Sequence, residues 1–163
     1  MELHAWFNPY RITLDTADVL SDQHISHSHP EWLFSYGDRS YFSPAHPQVW
    51  DFVTRVVVDV VRRYDVDAIH FDDYFYPYPS YNKNEDFPDS KSWATYKRKG
   101  GKLSRSDWRR ENVNKFIARV YKKIKREKEK RTKRETRKGR KMKKKRKGKR
   151  RNIYRIKLKD FEL

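Results

Sequence analysis

Two adjacent carboxylates, Asp72 and Asp73, end the short apolar run Ala68-Ile69-His70-Phe71 and open onto the aromatic stretch Tyr74-Phe75-Tyr76-Pro77-Tyr78. Strand side chains alternate between faces, so His70 and Asp72 share one side while Ile69, Phe71 and Asp73 share the other. Carboxylates crowded at the C-terminal end of a strand are costly unless they are solvated, paired or used in proton transfer. Such a pair also serves as a plain strand cap that bonds loop amides, and spacing alone leaves both roles open.

The segment His4-Ala5-Trp6-Phe7-Asn8 repeats the arrangement. His4, Trp6 and Asn8 fall on one face, with Asn8 at the C-terminal end and Arg11 just beyond. A tryptophan there can stack on a sugar ring, and an amide or guanidinium can bond hydroxyls. The alternative is that Trp6 is core and Asn8-Pro9 simply stops the strand. Tyr74, Phe75, Tyr76, Tyr78 and Tyr81 supply flat amphipathic surfaces of the kind that line binding clefts. His24, His27 and His29 have a spacing that metal ligands can have, but the partners of a zinc site are missing and the chain has no cysteine. A polar loop is the reading there, with no metal and no cofactor expected.

These residues need elements to hold them. The apolar positions Val49, Phe52, Val53, Val56, Val57, Val60, Val61 and Tyr64 recur at helical spacing, with Pro47 in the first turn and Arg62 and Arg63 in the last. They predict a helix between the two strands. Ser104 and Asp107 resemble a capping box, and Val113, Phe116, Ile117, Val120, Tyr121 and Ile124 mark a second helical face. Residues 9–46 and 74–103 carry no sustained period and read as long loops, ordered by their aromatic residues. Strand, helix, strand, helix, with long loops after the strands, is the order of a parallel α/β architecture.

The charge is divided unevenly. Residues 1–121 hold 16 Lys and Arg against 17 Asp and Glu, whereas residues 122–163 hold 24 against 5. The folded part is near neutral, and the basic excess lies in a tail with only two aromatic residues. From about residue 126 the charge run has no apolar face to bury and reads as disordered or helical. Ile153, Tyr154, Ile156 and Leu158 suggest a brief strand with nothing obvious to pair with. No run approaches the length of a membrane span, and the first residues do not form a signal peptide.

Four motifs in register carry a more specific signal. Phe-Asn-Pro-Tyr-Arg (7–11), His-Pro-Glu-Trp-Leu (29–33), Asp-Asp-Tyr-Phe-Tyr-Pro-Tyr-Pro (72–79) and Asp-Trp-Arg-Arg-Glu-Asn-Val-Asn (107–114) resemble the glycosyl-hydrolase-like family 10. This is a bacterial, envelope-associated family of (β/α)₈ TIM barrels. The likeness runs from about residue 2 to residue 125, with Ala68 standing where the family tends to carry glycine. It implies that residues 1–125 are two βα units of such a barrel, its third and fourth strands, followed by the basic tail 126–163.

The resemblance also implies hydrolysis of glycosidic bonds in a bacterial polysaccharide, peptidoglycan glycan strands among them. Asp72 and Asp73 would be the catalytic candidates. Trp6, Asn8, Arg11, His70, Tyr74 and Tyr76 would be the substrate-binding candidates. Two barrel strands leave sheet edges open, and hydrolysis normally uses two carboxyl groups, so a chain of this extent is expected to be inactive alone. Two other readings stay open: a truncated or frameshifted product without function, and weak, nonspecific binding of nucleic acid or another polyanion through the tail.

Overall fold

The computed structural model describes residues 1–15, 18–72, 75–142 and 155–157. Strand β1 (His4–Phe7) is followed by a short helix α1 (Ile25–Ser28), a hairpin β2–β3 (Leu33–Tyr36 and Arg39–Phe42) and helix α2 (Pro47–Arg63). Strand β4 (Ala68–Phe71), helix α3 (Ser90–Arg98), the long helix α4 (Arg105–Met142) and strand β5 (Arg155–Lys157) complete the described order.

Strands β1 and β4 pair in parallel, His4 with Ala68, Ala5 with Ile69, Trp6 with His70 and Phe7 with Phe71. Helix α2 makes the crossover between them, as the sequence order requires. The alternation is as read: Ile69 and Phe71 are fully buried on the face covered by helices, while His70 is half-buried on the other. Phe71 packs among Phe7, Phe75 and Phe116 at ring-centroid distances of 6.2, 6.1 and 5.6 Å. Fully burying a side chain of this size stabilises by about 1.5–3 kcal/mol, so this cluster is a principal tie between sheet and α4.

The two helical stripes form as expected, with a shift in α2. Val49, Val53, Val57 and Val61 are buried, but so are Thr54 and Val58, while Val56 and Tyr64 face solvent. The helix packs against α4 as well as the sheet, which widens its buried arc and turns it toward Val58. In α4, Val113, Phe116, Val120 and Ile124 are buried, and Tyr121 is exposed. Half of the capping box is present: the Asp107 amide donates to Ser104 Oγ at 3.1 Å, but the Asp107 carboxylate accepts from that hydroxyl, at 2.6 Å, in place of the Ser104 backbone N–H.

Three features depart from the sequence reading. The loop after β1 contains the antiparallel hairpin β2–β3, registered Leu33 with Phe42 through Tyr36 with Arg39. The loop after β4 contains α3, whose Trp93 and Tyr96 pack on Trp108 at 5.3 and 5.8 Å. The third is in the basic segment: it begins as a helix, one of its two expected states, with α4 running unbroken to Met142, but β5 then pairs in parallel with β4, Ile156 beside Ile69. A pairing partner for that segment therefore exists, and the described sheet has the order β1-β4-β5. Ile153, Tyr154 and Leu158 lie outside the described residues. Glu127, held by Arg62 and Lys130 at 2.9 Å each, and Arg131, paired with Asp65, fasten α4 to the body beyond residue 125. These cations pull the Glu127 carboxyl down to about 2. No helix among the described residues is long and apolar enough to cross a membrane.

Candidate functional site

The register of β1 and β4 levels their C-terminal ends. One residue past the Phe7–Phe71 pair stand Asn8 and Asp72, on neighbouring strands that are about 4.8 Å apart in any sheet. One pair earlier, Trp6 and His70 lie side by side on the face away from the helices. Trp6 is 55% exposed, so its ring is a surface and not part of the core. Asp72 is only 9% exposed. The Asn8 side chain accepts a hydrogen bond from the Arg11 amide at 3.1 Å, which fixes the turn, and its buried Nδ2 has no hydrogen-bond partner.

Arg11, half-buried, pairs as an isolated antiparallel bridge with Tyr41 of β3, so the turn after β1 is joined to the hairpin. Asp73 and Tyr74 lie outside the described residues. Tyr76 is 6% exposed, its ring 4.9 Å from Phe87 and its hydroxyl accepting from Asn112 Nδ2 at 3.5 Å. Burial pushes that hydroxyl's pKa well up. Its place is behind the wall of the site, supporting the loop.

The loops after β1 and β4 lock together over the strand ends. Phe34 and Tyr36 of β2 meet Phe87 at 4.4 and 5.8 Å, and the Tyr36 hydroxyl donates to the Glu85 carbonyl. Arg39 lies over the Tyr81 ring at 4.5 Å. Gly37 turns the hairpin at φ +63°, and a Cβ there would overlap the carbonyl oxygen of Tyr81. Replacing Gly37 with Ala should therefore cost about 2 kcal/mol, from left-handed backbone strain and the lost loop contact. Urea denaturation would show it as a lowered midpoint, with Asp38→Ala near wild type as the control; a neutral Gly37→Ala would mean that the loops are not in contact.

The lower end of the second loop is held by ions. Asp89, whose side chain is fully buried, accepts from Arg105 at 2.5 Å and from Arg109 at 2.7 Å, and both arginines also pair with Asp86. Arg109 in turn holds the Asp86 carboxyl below its ordinary range. This clamp joins the loop to the first turns of α4, and sequence reasoning missed it because its members are 16 to 23 residues apart with no periodic signal.

Two of the three spaced histidines of the first loop are otherwise engaged, and His27 is exposed. His24 caps α1 through Ser26, and His29 stacks on Trp32 at 3.9 Å and bonds Glu31. No cluster of metal-ligating side chains occurs among the described residues. The arrangement thus offers one carboxylate at a strand end, an amide level with it, a histidine and an exposed indole beside them, and a roof of aromatic loops.

Comparison with known proteins bears on this geometry. Residues 1–131 match the family model described as glycosyl hydrolase-like 10. The chain is 42% identical over 130 residues to glycosyl hydrolase YngK of Bacillus subtilis, covering 78% of this chain and 25% of that protein. It is 40% identical over 139 residues to glycosyl hydrolase DigH of Escherichia coli K12, covering 77% of this chain and 30% of that protein. The chain thus spans between a quarter and a third of the length of these relatives.

Proposed function

The chain belongs to the glycosyl hydrolase-like 10 family, and from that premise we propose that it binds a bacterial polysaccharide across the C-terminal ends of β1 and β4. The observation that carries this reading is the level placement of Asn8 and Asp72, with exposed Trp6 beside His70. In this reading β1 and β4 are the third and fourth strands of a (β/α)₈ barrel, whose catalytic groups gather at that end. Residues 1–125 supply its two βα units, and the basic segment that follows prolongs α4 to Met142 and adds β5 beside β4.

In the complete barrel Asp72 acts as one catalytic carboxyl group, and Asp73, the next residue in sequence, is the other catalytic candidate. Trp6 stacks on a sugar ring, while Asn8, Arg11 and His70 bond hydroxyls; Tyr76, buried against Phe87 and Asn112, supports the loop from behind and does not touch the sugar. Hydrolysis needs a second carboxyl group about 5–5.5 Å away for retention or about 6.5–9.5 Å away for inversion. Neither β1 nor β4 supplies one on the Asp72 face, so the chain binds glycan without turning it over. The substrate class is a bacterial glycan such as the strands of peptidoglycan.

A second reading concerns α4. Lys122, Arg126 and Lys133 are exposed on the side of the helix turned from the core, which supports weak, salt-sensitive contact with polyanions.

Sedimentation with insoluble, peptide-free peptidoglycan strands, followed by a reducing-end assay, tests the main reading. The chain should pellet with the glycan at 0.5 M salt and release no reducing ends above buffer. Failure to pellet once salt has suppressed the basic helix would remove the glycan-binding reading, and enzymatic release would remove the proposed inactivity.

A further inference from the structure

Helix α3 carries its charge without carboxylate partners. Residues 90–106 hold six Lys and Arg and no Asp or Glu, and among the described residues only Arg105 of the six is ion-paired. Trp93 and Tyr96 form the inward side of the helix, packed on Trp108 at 5.3 and 5.8 Å. Lys91 and Arg98, two turns apart, share the outward side with Lys97, and Lys99 and Lys102 follow in the turn; all five are exposed. Other helix surfaces set acids beside their cations, as in Arg63–Asp59, Arg110–Asp107 and Lys115–Glu111. Outside this segment, residues 1–121 hold 10 Lys and Arg against 17 Asp and Glu, so their near-neutral total conceals one concentrated basic face.

The charges stand on a fixed frame. A Cβ at Gly101 would overlap the Tyr96 ring, the Tyr96 hydroxyl accepts from the Leu103 amide at 3.1 Å, and Asp89 ties the start of α3 to Arg105. Like charges held in this way repel until an anion offsets them. Helix α4 runs from one end of the sheet to the other: Trp108 lies on α3, Phe116 on Phe71 at the end of β4, and Arg131 beside Asp65 just before β4 begins. Arg105 precedes Phe116 by 11 residues, about 16 Å of helix, so α3 stands beyond the C-terminal strand ends. Of the two basic surfaces, α3 is the one at the end of Asn8 and Asp72, and the exposed lysines 122–125 of α4 lie further toward the other end.

We propose that the outward face of α3 and its turn, Lys91, Lys97, Arg98, Lys99 and Lys102, is an outlying subsite that holds the carboxylates of an acidic polysaccharide strand running off the strand ends. The inference rests on the glycan reading and deepens it: the preferred ligand is a long, anionic saccharide. The faces of Trp93 are taken by Tyr96, Trp108 and the Lys97 ammonium, so the subsite attracts charge and stacks no sugar ring. Lysine ammonium groups on flexible stems suit carboxylates spaced along a chain, without fixing the identity of each sugar.

The Trp6 indole N–H of the isotope-labelled full chain reports binding at the strand ends alone, whatever the basic helix does. Its nuclear magnetic resonance shift is titrated at 0.15 M salt with an octa-uronate and with the carboxyl-reduced neutral octasaccharide. The acidic probe should half-saturate the shift at about tenfold lower concentration, the scale of a few exposed ion pairs acting together. A di-uronate, too short to span to α3, should show no such advantage. The triple variant Lys91→Gln, Lys99→Gln, Lys102→Gln should bring the acidic octamer to the level of the neutral one, with neutral binding and melting temperature unchanged. The triple variant Lys122→Gln, Lys123→Gln, Lys125→Gln should leave both values within about twofold.

A preference that survives the α3 variant, or that is erased by the α4 variant, would overturn the proposal. Equal half-saturation by the two octamers in the unmodified chain would overturn it while leaving the glycan reading in place. Equal weakening of both octamers in the α3 variant would reduce α3 to a structural support. If neither octamer moves Trp6, the glycan reading fails and takes the proposal with it.

Discussion

Asp72→Asn should lower glycan hydrolysis about a thousandfold when residues 1–125 are set in a complete, active barrel of the family, within the range that one general acid or base contributes. Asp73→Asn should cost far less. The difference follows from strand alternation: Asp72 continues the face of His70, opposite the face on which Ile69 and Phe71 are buried among helices. The substitution keeps the shape of the side chain and removes only its ability to exchange a proton. The loss should therefore appear in kcat, with KM and melting temperature close to unmodified values. A rate for Asp72→Asn near that of the parent barrel would leave Asp72 a strand cap.

Asp89→Asn should produce the largest loss of stability from one conservative change. The Asp89 carboxylate has no exposed surface, and its two partners, Arg105 and Arg109, keep only 30% and 16% of theirs. Removing one member of a buried ion cluster leaves the others desolvated and unpaired, at a cost of about 3–5 kcal/mol. For a domain of this size that corresponds to a melting temperature lower by roughly 10 °C. The effect should be local at first, because the clamp fixes Phe87, and Phe87 is the contact of Phe34, Tyr36 and Tyr76. Hydrogen exchange should accelerate in residues 75–89 before it does in β1 or β4. A cost below about 1 kcal/mol would mean that the cluster behaves as a surface pair, screened by water.

The parts that were legible in sequence are those set by a period. Val49 to Val61 and Val113 to Ile124 repeat at helical spacing, and Ile69 and Phe71 against His70 repeat at strand spacing; each declared its element and its buried face. The rotation of α2 toward Val58 was not legible, because it depends on α4, a neighbour more than 40 residues away. The hairpin had a signal that went unread: Gly37-Asp38 between Leu-Phe-Ser-Tyr and Arg-Ser-Tyr-Phe is a two-residue turn flanked by strand formers. Helix α3 buries none of its residues fully, and its aromatic contacts are with Trp108, so no apolar stripe marked it. The pairing of β5 with β4 is a long-range contact between a strand of Arg-Ile-Lys and a hydrophobic neighbour, which composition does not announce.

In the candidate site, the positions of Trp6, Asn8, His70 and Asp72 followed from alternation alone, whereas the tie of Arg39 to the second loop did not stand out. It comes from the hairpin turning Arg39 over Tyr81, 42 residues later. Tyr76 looked like one more exposed aromatic of a rich loop, and only the packing of Phe87 and Asn112 around it sets it behind the wall.

The central claim is that glycan binds across the C-terminal ends of β1 and β4. Nuclear magnetic resonance titration of the isotope-labelled full chain with a soluble peptidoglycan-strand oligosaccharide tests it residue by residue. The Trp6 indole N–H, the Asn8 side-chain amide and the amides of His70 and Asp72 should shift together and saturably, in 0.5 M salt as in 0.15 M. Shifts confined to residues 122–134 and abolished by the higher salt, with Trp6 and Asn8 unmoved, would contradict the account and leave the basic helix as the binding surface.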